Sequence, residues 1–153
     1  MTAFFPGSFD PFTAGHYDVV CRALKIFDRL IIGVGVNADK KTMFSEEERV
    51  RYAAVATKAF PQVSVVKYNE LTVDFCRTNK ITTIIRGIRS TADYDYENTI
   101  ALANYFMNNE IDTIYFPAYP AHSFICSSVV RDIYKHGGDV SGFLPEGVRL
   151  GEV

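Results

Sequence analysis

Apolar and polar positions alternate along this chain in blocks, and the blocks predict strands followed by helices. Short apolar runs predict five strands at residues 3–5, 30–36 (LIIGVGV), 63–68 (VSVVKY), 81–88 (ITTIIRGI) and 113–116. The run LIIGVGV is nearly continuous, which is typical of a strand buried on both faces. Between the runs, apolar residues recur at helical spacing and predict helices over residues 17–27, 45–60, 73–79, 94–108 and 128–136.

This alternation predicts an α/β fold, a single doubly wound Rossmann-like domain over residues 1–153. Its five-stranded parallel sheet would carry helices on both faces. Ser45 and Glu48 form an S-x-x-E capping box, which places the start of the second helix. Gly137 and Gly138 predict the end of the last helix.

Polar and charged residues that could bind a ligand follow each predicted strand. In open parallel sheets, ligands bind beyond the carboxyl ends of the strands, at the point where the strand order reverses. The segments that follow the five strands are 7–16, 37–42, 69–72, 86–89 and 120–128. We therefore expect a site built from these five segments.

Composition and charge narrow the class of protein. The chain has 153 residues, of which 48% are hydrophobic and 22% are charged, as in a globular domain. A formal net charge of −2 argues against a nucleic-acid partner, although it leaves room for an anionic small ligand. The apolar runs are too short to span a membrane, so no membrane partner is expected. The three cysteines have no CxxC spacing, which predicts reduced thiols. We expect a cytoplasmic protein.

The opening stretch FFPGSFDPFTAGH, residues 4–16, leads from a strand into a helix and ends on a histidine. Small residues let backbone N–H groups approach an anion, and the helix start adds the positive end of its dipole. Gly7, Ser8 and Gly15 fit a phosphate-binding loop of this kind, with His16 in the same space. The alternative is that the glycines only make turns and that His16 packs near a helix start.

The segment S-F-D-P-x-T-x-G-H resembles the N-terminal signature of the nucleotidyltransferase superfamily, and Thr13–His16 match its (T/H)-x-G-H motif. Three further segments resemble the bacterial phosphopantetheine adenylyltransferases: 40–50 (KKTMFSEEERV), 84–97 (IIRGIRSTADYDYE) and 122–133 (HSFICSSVVRDI). With the opening motif, the resemblance extends nearly from one end of the chain to the other. The resemblance implies transfer of AMP from ATP to 4′-phosphopantetheine by direct in-line attack of the acceptor phosphate, giving dephospho-coenzyme A and pyrophosphate.

That reaction requires no general base, because the attacking phosphate oxygen is already ionised at neutral pH. The sequence shows no obvious Ser-His-Asp or Cys-His arrangement that would supply one. The reaction requires two aligned polyanions and stabilisation of the charge that develops at the α-phosphate. Cationic side chains and N–H donors are therefore expected to dominate the site.

The resemblance implies a role for individual residues. The catalytic residues would be His16, as transition-state stabiliser, with Lys40 and Arg89. The ATP-binding residues would be Ser8, Phe9, His16, Gly87, Ile88, Arg89, Glu97, His122, Ser123, Phe124, Ile125, Cys126, Ser127 and Ser128. The residues that bind the acceptor would be Ser8, Lys40, Leu71, Thr72 and Arg86.

The sequence departs from the family pattern at five of its positions. These are Phe5 in place of Tyr, Ser8 in place of Thr, Thr72 in place of an apolar residue, His122 in place of Trp and Cys126 in place of Ser. The hydroxyl is kept at position 8, whereas position 126 exchanges a hydroxyl for a thiol. A thiol nucleophile at Cys126 is disfavoured because no base accompanies it.

Simpler interpretations exist for several of these residues. Lys40 could belong to a solvated loop, Arg86 and Arg89 could be surface charges, and Glu97 could be a solvated helix charge. Ser127 and Ser128 could act as helix N-caps as well as phosphate ligands.

Asp10 is expected to be structural, fixing its own proline-rich loop, with a metal role second. Arg131, one turn into the last helix, is expected to reach the phosphates.

The resemblance also implies partners and a cofactor. Mg²⁺ would bridge the phosphates, coenzyme A would act as a feedback inhibitor, and the chain would form a homohexamer. The rival within enzymes is an adenylyl- or cytidylyltransferase for another phosphate acceptor, such as nicotinate mononucleotide. A rival of another class is a nucleotide-sensing module without turnover.

Overall fold

The computed structural model describes residues 1–37, 39 and 41–152. The strands in chain order are β1 (Thr2–Gly7), β2 (Arg29–Gly35), β3 (Val63–Tyr68), β4 (Thr83–Ile88) and β5 (Asp112–Pro117). The helices are α1 (Ala14–Ala23), α2 (Glu46–Thr57), α3 (Thr72–Thr78), α4 (Thr91–Met107) and α5 (Ser127–Lys135), followed by a short 3₁₀ helix at Ser141–Phe143. The predicted α/β class is confirmed.

The five strands form one parallel sheet in the order β3-β2-β1-β4-β5. The strand order therefore reverses between β1 and β4. β1 pairs with β2 over six positions but with β4 only at Ala3↔Thr83 and Phe4↔Ile84. Beyond those pairs β1 and β4 are no longer paired, and a crevice opens between their carboxyl ends, where ligands bind in such sheets.

The two faces of the sheet are covered by different sets of apolar side chains. Phe4 and Phe5 are neighbours on β1, and the pleat directs them to opposite faces. Phe5 belongs to a cluster with buried side chains of α1, α2 and α5, whereas Phe4 packs with Val73, Phe75 and other residues around α3. Helices therefore lie on both faces, as predicted.

Helix ends differ from the sequence predictions by a few residues. The first predicted helix stops at Ala23 rather than at residue 27, because the N–H groups of Lys25 and Ile26 bond three residues back, as in a 3₁₀ turn. α4 begins at Thr91 rather than at residue 94, because the Ser90 hydroxyl accepts the Asp93 N–H and caps it. The predicted capping box of α2 is confirmed by reciprocal bonds of 2.8 and 3.2 Å between Ser45 and Glu48.

None of the helices in the described part of the chain has both the length and the apolar character that crossing a bilayer requires.

Candidate active site

His16 lies in the first turn of α1, and its ring reaches back to Thr13, the N-cap of that helix. The Thr13 backbone N–H donates to His16 Nδ1 at 3.0 Å, and the Thr13 hydroxyl lies 3.0 Å from the same nitrogen. A backbone N–H can only donate, so Nδ1 is the acceptor nitrogen, and the proton of the neutral ring is on Nε2. The ring therefore offers an N–H donor to the crevice rather than a basic nitrogen.

The surroundings keep that ring neutral. Burial, with smaller contributions from the positive charges of Arg86 and Arg89, lowers the pKa of His16 from 6.5 to about 3. The Phe9 and Phe12 rings lie 5.0 and 5.4 Å from the imidazole. At neutral pH His16 is an uncharged donor, which suits charge stabilisation. Its role in the transition state stays a prediction.

The loop before α1 is fixed from two sides, by the segment before α2 and by α5. The Asp10 carboxylate accepts the backbone N–H groups of Met43 and Phe44, each at 2.9 Å. Asp10 is thus structural, as expected, but it ties the loop to the segment before α2 rather than to itself. From α5, the Ser127 hydroxyl donates to the Pro11 carbonyl at 2.9 Å and Arg131 Nη1 donates to the Asp10 carbonyl at 2.7 Å.

Arg86, at the end of β4, is held by a carboxylate of α4. Its Nε and Nη2 donate to the two oxygens of Glu97 at 2.7 and 2.5 Å, and its Nη1 donates to the Pro6 carbonyl. The two side chains are 25% and 11% exposed, so neither is the solvated surface charge of the simpler interpretation. The pair stands in the crevice between β1 and β4.

Arg89 follows β4 and joins two other parts of the site. Its Nε donates to Asp93 at 2.9 Å at the start of α4, and its Nη1 reaches the Ile125 carbonyl at 3.4 Å. Arg89 therefore lies between α4 and the loop that precedes α5, with its charge paired to Asp93.

The start of α5 differs from the expectation of serine caps. Cys126 is the N-cap, and it makes no side-chain capping bond, while Ser127 and Ser128 are the first two residues of the helix. The interpretation of the serines as N-caps is wrong: Ser127 bonds to Pro11, and the Ser128 hydroxyl lies 3.3 Å from Cys126 Sγ. N–H groups at a helix start that lack side-chain caps suit an anion.

The Cys126 thiol has a lowered pKa. Burial raises it, but the nearby Ser128 hydroxyl, the proximity of the Val129 N–H and the charge of Arg89 outweigh the burial.

Two cavities open at the carboxyl ends of the strands. The smaller has a volume of about 350 Å³ and the larger about 730 Å³. The predicted site residues in the wall of the smaller are Ser8, Phe9, His16, Arg86, Gly87, Ile88, Arg89, Glu97, His122, Ile125, Cys126, Ser127 and Ser128. Those in the wall of the larger are Ser8, Thr72, Arg86 and Glu97. The cavities meet at the predicted site residues Ser8, Arg86 and Glu97, together with Pro6 and Gly7.

Three predicted residues line neither cavity. The Ser123 hydroxyl donates to the Pro120 carbonyl at 3.1 Å, and Phe124 is 63% exposed with its ring against Phe143. Leu71 is exposed at the N-cap of α3. Lys40 lies outside the described residues. The binding roles of these four residues stay predictions.

Some residues of the cavity walls were not singled out from the sequence. Asp93 and Asp18 line the smaller cavity, and each is an i,i+4 partner of an arginine, a spacing that could have drawn attention to them. Asn104 lines the larger cavity and is buried. It lies two helical turns after Glu97 on the same face of α4, so its spacing from Glu97 could have indicated in the sequence that it faces the site.

Ligands for a resident metal ion are lacking in the part of the chain that the structure describes. No group of three or more His, Cys, Asp or Glu side chains there could hold a metal ion. Asp10 lines the smaller cavity, but both of its carboxylate oxygens accept backbone N–H groups. The side chains around the crevice offer N–H donors and cations instead.

A doubly wound parallel sheet with N–H donors and arginines at the reversal of its strand order defines a protein of the nucleotidyltransferase class. The family model described as Cytidylyltransferase-like matches residues 4–133. The phosphopantetheine adenylyltransferase of Nautilia profundicola is 48% identical over 143 residues, which cover 94% of this chain and 93% of that protein. That of Flavobacterium psychrophilum is 46% identical over 148 residues, covering 97% of each chain. The chain belongs to the phosphopantetheine adenylyltransferase family, as its motifs predicted.

A solved structure supports the fold. The bifunctional NMN adenylyltransferase/ADP ribose pyrophosphatase from Francisella tularensis superposes with a TM-score of 0.73 at 18% identity, over 94% of this chain. This chain spans only 44% of that bifunctional protein. At this identity the likeness is one of fold alone.

Proposed function

We propose that the chain transfers the adenylyl group of ATP to 4′-phosphopantetheine, giving dephospho-coenzyme A and pyrophosphate. The observation that supports this most directly is that the two cavities meet at Ser8, Arg86 and Glu97. A group transfer between two bound substrates requires such a junction, because the reacting atoms must lie side by side. Family membership supports the choice of both substrates.

The smaller cavity suits ATP. His16, Arg89 and the start of α5 line it, and they offer a neutral N–H donor, a cation and backbone N–H groups. These groups match the α-phosphate and the two phosphates that leave as pyrophosphate. The nucleotide would therefore lie between α1 and the loop before α5, with its α-phosphate near His16.

The larger cavity suits the pantetheine arm, which carries two amides and a branched apolar centre. Its wall combines amide side chains with apolar ones. The amides are Asn37, Asn69 and Asn104, and the apolar side chains include Tyr68, Ile84 and Ile100. Thr72 also lines this cavity, and its hydroxyl lies 3.3 Å from that of Tyr68.

Arg86 would bind the acceptor phosphate at the junction. It is already oriented there by Glu97 and the Pro6 carbonyl. The acceptor phosphate attacks the α-phosphorus in line, the bond to the β-phosphate oxygen breaks, and pyrophosphate leaves. No proton has to be removed from the nucleophile, which agrees with a neutral His16 whose Nδ1 is occupied by Thr13. His16 would stabilise the charge that develops on the α-phosphate oxygens.

Mg²⁺ would enter as the counter-ion of ATP. The described residues do not fit a dedicated metal site, so phosphate oxygens and water would supply its ligands. No step of the mechanism above is assigned to the ion.

A homohexamer, feedback inhibition by coenzyme A and a cytoplasmic location complete the proposal. α4 exposes large apolar side chains, among them Leu102, Tyr105 and Phe106, and Phe106 is 91% exposed. A patch of this kind on a soluble enzyme favours contact with another copy.

Coenzyme A shares its pantetheine arm with the acceptor and could occupy the same larger cavity. The three cysteines are free thiols, which supports a reducing compartment.

An acceptor screen tests the proposal. The enzyme is incubated with ATP, Mg²⁺ and one acceptor, either 4′-phosphopantetheine or nicotinate mononucleotide, and pyrophosphate release is measured. We expect release with phosphopantetheine only. Release with nicotinate mononucleotide alone would identify the rival transferase, and tight ATP binding without release would identify a nucleotide-sensing module.

A further inference from the structure

Arg49, in the first turn of α2, is buried beneath the phosphate-binding loop. It is 2% exposed, and its Nη1 donates to the Ser8 carbonyl at 2.6 Å and to the Gly35 carbonyl at 3.0 Å. Buried arginines usually pair with carboxylates, but both of these acceptors are backbone carbonyls at the ends of β1 and β2. Its Nε is also buried and has no hydrogen-bond partner. Stability alone is a weak reason for a cation in this position.

The bond to Ser8 sets the orientation of one peptide group. The carbonyl of Ser8 and the N–H of Phe9 belong to the same planar trans peptide, so they point in opposite directions. Arg49 draws the carbonyl towards the interior below the loop. The Phe9 N–H is therefore turned the other way, towards the smaller cavity, whose wall contains both Ser8 and Phe9.

The backbone at Phe9 needs to be held in this orientation. Its φ is +48°, in the left-handed region that residues other than glycine rarely adopt. The residue is 3% exposed and its ring packs against Phe5 and Phe12, while a Cβ at Gly7 would come within 2.8 Å of that ring. The packing fixes the side chain, and Arg49 fixes the peptide group that precedes it.

We propose that Arg49 is a positioning residue, which directs the Phe9 N–H towards the substrate phosphates by binding the Ser8 carbonyl from below. This rests on the proposed adenylyl transfer at the same crevice. Because Ser8 lies at the junction of the two cavities, a turned peptide would misalign the two phosphates relative to each other. The effect should therefore be larger on kcat than on either KM.

Two substitutions separate positioning from stability. Arg49→Met removes every donor, while Arg49→Lys keeps the charge and one nitrogen with several N–H groups, on a shorter side chain than the one whose Nη1 donates to both carbonyls. Thr57→Val is the matched control, because Thr57 is also buried on α2 and its hydroxyl donates to the Ala53 carbonyl of its own helix. All three variants should unfold at lower temperature than the wild type.

Steady-state kinetics then compare the variants at a temperature where each is folded. We expect kcat to fall at least about tenfold in Arg49→Met and less in Arg49→Lys, while Thr57→Val stays within about twofold of the wild type; tenfold corresponds to about 1.4 kcal/mol. If Arg49→Met does not fold, the same comparison is made with Arg49→Lys. A kcat for the Arg49 variants equal to that of the control would overturn the proposal.

The Phe9 amide gives a readout that does not depend on turnover. Only Phe9 and Phe124 follow a serine, so ¹³C-carbonyl serine with ¹⁵N-phenylalanine selects two amide signals, and Phe124→Leu identifies one of them. We expect ATP to shift the Phe9 amide in the wild type and in Thr57→Val, and to shift it less than half as far in Arg49→Met. An equal shift in all three would refute the role of Arg49.

The two proposals fail in different ways. If the wild type releases no pyrophosphate with phosphopantetheine, the proposed function fails. The response of the Phe9 amide to ATP would still test whether Arg49 orients it.

Discussion

Removal of the His16 imidazole is the perturbation that tests the active site most directly. His16 offers one preorganised N–H, because Thr13 occupies Nδ1 and the ring is neutral with a pKa of about 3. The loss of one such donor costs about 10²–10³ in kcat, or about 2.7–4 kcal/mol. Because the donor carries no net charge, we expect His16→Ala to lie at the lower end, at about 2.7 kcal/mol, or about a hundredfold.

The assay is pyrophosphate release over a range of ATP and phosphopantetheine concentrations, so that kcat and both KM values are obtained, and it is repeated across pH 6–9. The control is His136→Ala, because His136 is a histidine of the exposed end of α5, with 72% of its side chain exposed. Circular dichroism and a melting curve should show that both variants keep the fold. We expect His16→Ala to lower kcat with little change in either KM, and the control to match the wild type.

The pH profile separates a neutral donor from a general base. With Nδ1 bonded to Thr13 and the pKa far below 6.5, the wild-type kcat should show no ionisation of His16 near pH 6.5. A rise in kcat through pH 6–7 that disappears in His16→Ala would mean that the ring takes up a proton. Unchanged turnover in His16→Ala would refute the assignment outright.

Three further predictions concern charge, assembly and acid stability. Arg86→Ala and Lys40→Ala should raise the KM for phosphopantetheine by about tenfold, the loss of about 1.4 kcal/mol, with little change for ATP; a selective loss of ATP affinity would contradict this. Phe106→Asp should reduce the particle mass seen by light scattering, whereas an unchanged mass would exclude the α4 face as an interface. Folding stability should decrease as the pH falls from about 6.5 to about 3, because His16 binds a proton in the unfolded chain at its ordinary pKa but in the folded chain only near 3. His16 is only half-buried, so we expect its part of this decrease in the free energy of unfolding to be about 2 kcal/mol. The His16→Ala variant should lack that part of the decrease when the free energy of unfolding is measured by urea titration at each pH.

The fold was predictable because its determinants are local. Parallel strands buried on both faces form continuous apolar runs, and the predicted run at 30–36 matches β2 to within one residue at each end. Helix ends were less accurate where a cap competed with the apolar pattern. The Ser90 cap moved the start of α4, since a hydroxyl that binds an N–H determines a helix start irrespective of hydrophobicity.

The positions of the site residues were partly predictable, but their partners were not. Arg86 and Arg89 were expected at a strand end, and both line the smaller cavity. That Glu97 holds Arg86 depends on how α4 packs across β4, which no local pattern contains. Arg49 is the extreme case: in S-E-E-E-R it has the pattern of an exposed helix charge, and only tertiary packing buries it beneath Ser8.

The cations of the crevice are balanced before any substrate binds, and this constrains how the site works. Arg86 is paired with Glu97 and Arg89 with Asp93, while the ring of His16 is neutral. A polyanion bound between the two arginines would offset the repulsion that contributes to the low pKa of His16, so that the pKa should rise on binding. Burial is the larger cause of the low pKa, however, and a bound substrate would bury the ring further. The ring therefore stays predominantly neutral through the reaction, and stabilisation of the α-phosphate depends on the direction of the Nε2–H bond rather than on an added positive charge.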